Sequence, residues 1–456
     1  MNIFIKKDVN EIKDFPENSI LFSIDRYAER NVFTNFPKVL NRMEIKDINP
    51  IYEDLFTIGL SVFAVDKRIP RSCFDDNWTR ELKVNIPVFE FDKWNNEVNR
   101  VNAMLRYLTG DKWDVAFRET EYSIFHDEIK RRKTNPLPQC DSVCLFSGGL
   151  DSFCGAIHLL KNGHSPCLVG HNEYPKLQKK QNELAEMFRE EYPSLNAEFI
   201  SFTAGSYAPK YVNGTLFNGS ENTSRGRSLL FLCVALVMAS VLGENIPVYI
   251  PENGFIGLNV PLTNSRKGSC TTRTTHPYFL NMFKEIINSV GINNDIINPF
   301  AHETKRNIVN SVKDEEAFKK GYLETISCSH PCNPRYYRTR RVEYPINCGY
   351  CYPCIIRKSS LLDVPDEAQR YDHNAINMSF INQNEGSDKV SDLNAVVSTV
   401  YRYQHISDEE LTRLIKSTGK LSLDEINIFK DVYKDSLNDI IELLYQDAKL
   451  KEYIEE

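Results

Sequence analysis

The alternation of apolar and polar residues predicts two regions of mixed strands and helices, followed by a helical tail. In the first region, apolar residues alternate over 82–88 and 113–117, which is typical of strands with one buried face. Apolar residues recur at helical spacing over 51–62 and 94–108. We therefore expect residues 1–135 to form an N-terminal α/β accessory domain.

The second region alternates short apolar strands with longer helices, which indicates an open, mostly parallel sheet with helices on both faces. Its expected strands are 143–146, 166–170, 197–202 and 247–250. A polar segment with two prolines, 130–139, indicates a linker before this domain, which we place at 136–362. The apolar stretch 229–243 is shorter than the ~20 residues of a membrane span, so we expect a buried helix.

The tail, residues 363–456, is predicted to be helical. Ser407 with Glu410, and Ser422 with Glu425, each fit a capping box at a helix start. Apolar residues between Ile426 and Leu444 then share one helical face. We expect a small helical region that packs on its own protein.

Composition narrows the class of protein. The chain has 456 residues, 41% of them hydrophobic, and a net charge of −7, which argues against a surface that coats nucleic acid. No apolar run reaches a membrane span, and the first residues lack the apolar core of a signal peptide. Twelve cysteines, several of them in apolar segments, favour a reducing compartment. We expect a cytoplasmic protein with no membrane partner.

The most informative motif is the string Ser147-Gly148-Gly149-Leu150-Asp151-Ser152 between a predicted strand and a predicted helix. Two glycines allow close approach of the backbone to a ligand, and the amides at the helix start favour an anion. The alternative is a plain strand-to-helix turn capped by Asp151 or Ser152. In its strand-to-helix setting, the full string favours the anion site.

This string resembles the PP-loop of the ATP pyrophosphatase superfamily. The resemblance implies ATP bound with Mg²⁺ and an adenylated substrate, with catalytic roles for Ser147, Asp151, Ser152 and Arg227. It also implies that Gly170 and His171, which end the second strand, border the adenine. Arg225 and Arg227 open a buried helix and Lys305 opens a later one, and all three are candidates for phosphate contact, although each also fits a solvated surface cation.

Residues after the fourth strand are candidates for the acceptor pocket, because ligands lie at the carboxyl ends of parallel strands. They are Glu252, Asn253 and Asn259. His276 is a candidate general base, since its unperturbed pKa lies near neutrality, or a structural residue that caps the turn at Pro277.

Four cysteines fit a metal site: Cys328, Cys348, Cys351 and Cys354. Four thiolates match tetrahedral zinc, and an iron–sulfur cluster is the competing interpretation. Cys332 and His330 are alternatives for the fourth ligand.

The order of motifs from Asp141 to Tyr371 resembles 7-cyano-7-deazaguanine synthase, a QueC-type enzyme whose four-cysteine zinc is structural. That family's acidic and cysteine-containing signature is missing, and the chain has SCTTRTTHP at 269–277 instead. The larger layout resembles the QueC-like component of the Qat antiphage defence system. The resemblance implies a C–N ligase that acts on a 7-deazaguanine acid, with ammonia or a protein amine as acceptor and with partner proteins from a defence operon.

Two other functions remain open: a PP-loop enzyme that modifies tRNA or another nucleic acid, and a non-catalytic nucleotide-binding module of a defence complex. The segment Arg335–Arg341 places four arginines beside two tyrosines, which is compatible with a nucleobase, a solvated loop or an acidic partner.

Overall fold

The computed structural model describes residues 1–8, 11, 15–24, 30–45, 47–125, 136–223, 225–262, 273–338, 341–365 and 370–456. The strands in these ranges are β1 (Asn2–Lys6), β2 (Ile20–Ser23), β3 (Val32–Thr34), β4 (Glu81–Val88), β5 (Lys112–Glu119), β6 (Ser142–Leu145), β7 (Pro166–His171), β8 (Glu198–Phe202), β9 (Ala204–Ser206), β10 (Lys210–Tyr211), β11 (Val248–Tyr249) and β12 (Ile296–Ile297).

The helices of the first two regions are α1 (Phe36–Arg42), α2 (Pro50–Arg68), α3 (Phe91–Asn96), α4 (Val98–Thr109), α5 (Leu150–Lys161), α6 (Pro175–Glu191), α7 (Arg225–Leu242), α8 (Gly254–Leu258), α9 (Pro277–Ser289), α10 (Lys305–Asn310), α11 (Glu316–Gly321) and α12 (Tyr352–Ser360). The tail contains α13 (Met378–Gln383), α14 (Asp388–His405), α15 (Asp408–Lys416), α16 (Leu423–Leu444) and α17 (Ala448–Glu455).

The sheet that carries the glycine motif is parallel, in the order β12-β11-β6-β7-β8. Alternate residues of β6 point to opposite faces: Val143 and Leu145 join a core with α7 and α9, whereas Cys144 joins a core with α5 and α6. The chain runs outward from β6 to β8 and then crosses back to β11. The carboxyl ends of β6 and β11 therefore flank the point where strand order reverses, which is where open α/β sheets bind ligands.

The N-terminal region has its own α/β sheet, but it shares a core with the second region. Strands β2, β1, β4 and β5 are parallel, and β10 from residues 210–211 adds an antiparallel edge strand. Helix α2 packs directly on α7, and Gly59 permits this approach, because a Cβ there would lie 2.8 Å from Cys233 Sγ. We predicted this region as a separate domain, and its core is continuous with that of the parallel sheet.

Helix α7 is the one described helix that is long and apolar enough to cross a membrane. Two thirds of it is buried inside the protein, between α2 and strands β6, β7 and β11. This burial is typical of the core helix of a soluble protein, as the sequence predicted.

The tail packs back onto the parallel-sheet region. Helices α14 to α17 form one core with α8 and α12. Both predicted capping boxes are present, at Ser407 with Glu410 and at Ser422 with Glu425. Part of the predicted linker, at 130–135, lies outside the described residues.

Candidate functional site

The glycine motif forms a tight turn between β6 and α5. Gly148 has a φ of +82°, a backbone conformation that favours glycine, and Gly149 is the N-cap of α5. The Gly149 N–H donates to Ser147 Oγ at 3.3 Å, and the Ser147 and Ser152 hydroxyl oxygens lie 3.1 Å apart. Backbone amides and hydroxyls therefore converge at the start of a helix, as expected for an anion site.

Three residues that we did not single out from sequence hold this turn. Gln181 of α6 donates to the carbonyls of Phe146 and Ser147, each at 3.1 Å. Ser327 Oγ accepts the Leu150 N–H at 3.0 Å, and Ile326 N–H donates to the Gly148 carbonyl at 2.9 Å. The one signal in the sequence for these contacts is that Gln181 is polar at a position of α6 that is buried. A pattern of neighbouring residues does not show which distant residues will pair.

A charged cluster lies at the first turn of α5. Asp151 Oδ2 accepts from Lys305 Nζ at 2.8 Å and from Asn253 Nδ2 at 3.3 Å. Lys305 is only 8% exposed, so it is not the surface lysine that sequence left open. Burial, together with the negative charge of Asp151, raises the pKa of Glu252 well above its usual range. Four predicted site residues from three segments, namely Asp151, Glu252, Asn253 and Lys305, are thus brought together.

The end of β7 forms the other border of the turn. His171 is largely buried, and burial, with the positive charge of Arg227 nearby, lowers its pKa to about 4. The His171 ring is therefore neutral at pH 7, which suits a residue that only borders the proposed adenine site. Arg227 forms an ion pair with Glu173, and its side chain is 35% exposed. Gly170 has no room for a side chain, because a Cβ would lie 2.6 Å from the Phe199 ring.

Arg225 has structural partners. It is 2% exposed and donates to the Thr109 carbonyl in the N-terminal region. The start of α7 does meet an anion, as the helix dipole requires, but that anion is the buried carboxylate of Asp66, which accepts the Gly226 N–H at 3.1 Å. Asp66 in turn pairs with Arg80. We therefore leave Arg225 out of the proposed nucleotide site.

His276 and Asn259 occupy helix ends. His276 is fully buried and caps α9, with Nδ1 accepting the Tyr278 N–H at 3.1 Å and Nε2 lying 3.0 Å from Thr418 Oγ1. Burial lowers its pKa to about 3. These contacts correspond to the structural alternative and do not favour a general base. Asn259 is the left-handed C-cap of α8. Residues 269–272, the first four of the nine that depart from the deazaguanine family's signature, lie outside the described residues.

The four-cysteine cluster predicted from sequence is present. The Sγ atoms of Cys328, Cys348, Cys351 and Cys354 all lie within 4.8 Å of one another, and the last three residues are buried. The pairs Cys348–Cys354 and Cys351–Cys328 are each 3.9 Å apart, close to the ~3.8 Å edge of a tetrahedron with Zn–S bonds of about 2.3 Å. This group can hold a metal such as zinc.

Backbone amides surround the sulfurs, as in sites that hold thiolates. The N–H groups of His330 and Cys348 both donate to Cys328 Sγ at 3.2 Å, and the Cys351 N–H donates to Cys348 Sγ at 3.3 Å. Cys332 and His330, the alternatives for the fourth ligand, are outside the group, and Cys328 completes it.

The arginine-rich segment is only partly described, since residues 339–340 lie outside the described ranges. Arg335 lies over the exposed ring of Tyr336, with its Cζ 4.5 Å from the ring centroid. Tyr337 donates its hydroxyl to Asp372. A nucleic-acid role for this segment stays a prediction.

Comparison of the chain with models of protein families, and with curated proteins, gave no match. The proposed function therefore depends on the geometry above and on the motifs themselves.

Proposed function

We propose that the protein binds ATP and Mg²⁺ at the turn Ser147–Ser152 and activates a carboxylate by adenylation. The observation that carries the proposal is the position of this turn at the strand-order reversal, beside the cluster of Asp151, Glu252, Asn253 and Lys305. The glycine turn and the buried charged side chains then lie together at one edge of the sheet.

The proposed phosphate contacts follow from the turn's hydrogen bonds. Hydroxyls of Ser147 and Ser327 accept the N–H groups of Gly149 and Leu150. A phosphate oxygen carries full charge and is a stronger acceptor than a hydroxyl, so it would replace them. The two hydroxyls would then turn and donate to the same phosphate.

The cluster fits a divalent cation. Asp151 Oδ1 is buried with no hydrogen-bond partner in the described part of the chain, and Glu252 lies close enough to interact with Asp151. Carboxylate oxygens are the protein ligands that Mg²⁺ prefers. When bound, Mg²⁺ would neutralise charge on the departing phosphates, and Lys305 and Arg227 would add positive charge at the same edge.

The chemistry then takes two steps. A carboxylate oxygen attacks the α phosphorus, the bond between the α phosphorus and its bridging oxygen breaks, and pyrophosphate leaves. An amine next attacks the acyl carbon, AMP leaves, and the amine loses a proton to form an amide. Positioning and charge neutralisation are the contributions asked of the protein.

The substrate class comes from the motif order. We propose a 7-deazaguanine acid, with ammonia or a protein amine as acceptor, in an antiphage defence setting with partner proteins. The four-cysteine group supports this proposal, because its spacing suits a single structural zinc ion. A four-iron cluster places an iron beside each thiolate and needs wider separation of the sulfurs.

The test is release of AMP and pyrophosphate by the purified protein with ATP, Mg²⁺, ammonium and the deazaguanine acid. Ser147→Ala combined with Asp151→Asn should lower turnover roughly 100-fold, since it removes contacts to transition-state charge. The matched control is Ser398→Ala with Asp424→Asn, at two exposed positions in the tail. Unchanged turnover in the first double variant would overturn the assignment of the turn.

A further inference from the structure

Helix α16 of the tail contacts the segment that supplies Glu252 and Asn253. Helix α8 begins directly after Asn253, and Gly254 lies against Val432 of α16, where a Cβ would come within 3.1 Å of Val432 Cγ1. The rings of Phe255 and Tyr433 have centroids 5.5 Å apart. Because α8 is a single short turn, its position depends on this packing.

Helix α16 also contacts the segment that supplies Lys305. Arg306, the next residue, pairs with both oxygens of Asp363, at 2.7 Å each. Its Nη1 also lies 3.0 Å from Asp439 and 2.6 Å from Glu442, both on α16. A planar guanidinium held by three carboxylates has a fixed orientation, which a lysine would not have.

The geometry makes this network relevant to the site. Lys305 and Arg306 are consecutive, so fixing the Arg306 side chain fixes the backbone from which Lys305 reaches Asp151. The side chains of Arg306 and Asp439 are only 18% and 17% exposed, so water screens this pair less than it screens an ordinary surface ion pair. A cavity of about 10 Å³ between α16 and the residues Asn253 and Lys305 has room for at most one water.

We propose that α16 is a positioning element of the site, and that Arg306 with Asp439 holds Lys305 against Asp151. One face of α16 then supports the site, through its contacts with Arg306 and with α8. The effect that we expect on turnover rests on the proposed function. The effect that we expect on the pairing of Lys305 does not.

The experiment uses the full-length protein with two readouts. The first is labelling of Lys305 by an amine-acylating reagent, measured by peptide mass spectrometry without nucleotide. Arg306→Ala should increase labelling at least threefold, because Lys305 loses its fixed pairing, and Arg306→Lys should give an intermediate value. Asp439→Asn should act in the same direction, whereas Asp431→Asn, at an exposed position on the same helix, should not.

The second readout is pyrophosphate release. Arg306→Ala should lower kcat about tenfold while the KM for ATP stays within twofold, since the glycine turn itself is untouched. Circular dichroism and thermal midpoints identify a variant that fails to fold. If Arg306→Ala does not fold, the result for Asp439→Asn decides whether the inference holds. Unchanged labelling and unchanged kcat in Asp439→Asn and in folded Arg306 variants would overturn the inference. Increased labelling in the Arg306→Ala and Asp439→Asn variants, together with no turnover by the wild type, would support positioning and reject the proposed function.

Discussion

Gly149→Ala separates folding from anion binding at the glycine turn. Gly149 has φ −85° and ψ 167°, which alanine adopts without strain. The added Cβ would lie 3.4 Å from Ser147 Oγ and 3.5 Å from Ser327 Oγ, at ordinary contact distance or just inside it. It would therefore sit beside the two hydroxyls whose positions we assign to phosphate oxygens.

The expected magnitudes differ for the two properties. Alanine is a poorer N-cap than glycine, but it reduces the entropy of the unfolded chain, so stability should change by less than about 1 kcal/mol. A lost hydrogen bond to a charged phosphate costs about 1.5–3 kcal/mol, which corresponds to roughly 10- to 150-fold weaker ATP binding. Gly148→Ala is the contrasting variant: its φ of +82° should cost about 1–2 kcal/mol of stability.

Isothermal titration with ATP and Mg²⁺ gives the affinity, and thermal unfolding without nucleotide gives the stability. We expect Gly149→Ala to have nearly the same thermal midpoint as the wild type and to bind ATP at least tenfold more weakly. A folded Gly149→Ala protein whose affinity for ATP is within twofold of the wild-type value would refute the phosphate assignment, because the glycine turn would then tolerate a methyl group at the proposed phosphate site.

Three further predictions concern other parts of the structure. Asp111→Ala should lower the free energy of unfolding by about 3–5 kcal/mol in urea titrations, because it leaves the fully buried Arg80 without one carboxylate, whereas Glu81→Ala, at an exposed pair, should have little effect. The pKa of His276 is about 3 in the folded protein and about 6.5 in the unfolded chain. Its contribution to the free energy of unfolding is therefore present above pH 6.5 and is lost as the pH falls. Between pH 7.5 and 5, wild type should lose about 2 kcal/mol more stability than His276→Asn, and equal losses would contradict the burial argument. Removal of metal by a chelator should weaken ATP binding as well as stability, since Ser327 joins the glycine turn to Cys328, and elemental analysis should find one zinc per chain. Retained ATP affinity in metal-free, folded protein would show that the two sites are independent.

Local features were predictable from the sequence. The capping boxes at Ser407 and Ser422 depend on residues a few positions apart, and both are present. The four-cysteine group was predictable because three of its ligands share one turn.

Features that depend on distant residues were not predictable. The argument from the helix dipole required an anion at the start of α7, but pattern alone could not choose between a phosphate and Asp66, which is 160 positions away from Gly226. Sequence left Lys305 open between a phosphate contact and a surface cation, because its partner Asp151 lies 154 positions earlier. The edge strand β10 has two residues, too few for an alternating pattern to identify.

The close contact of α2 with α7 has a consequence for how the protein can move during turnover. Both Gly59 and Gly226 lie in this contact, and a Cβ at Gly226 would come within 2.9 Å of Phe63 Cα. Rotation of one sheet against the other would have to part α2 from α7 and separate Asp66 from the Gly226 N–H that donates to it. Hinged closure of two lobes is therefore unfavourable here. Under the proposed function, substrate entry and pyrophosphate release would depend on local rearrangement at the sheet edge.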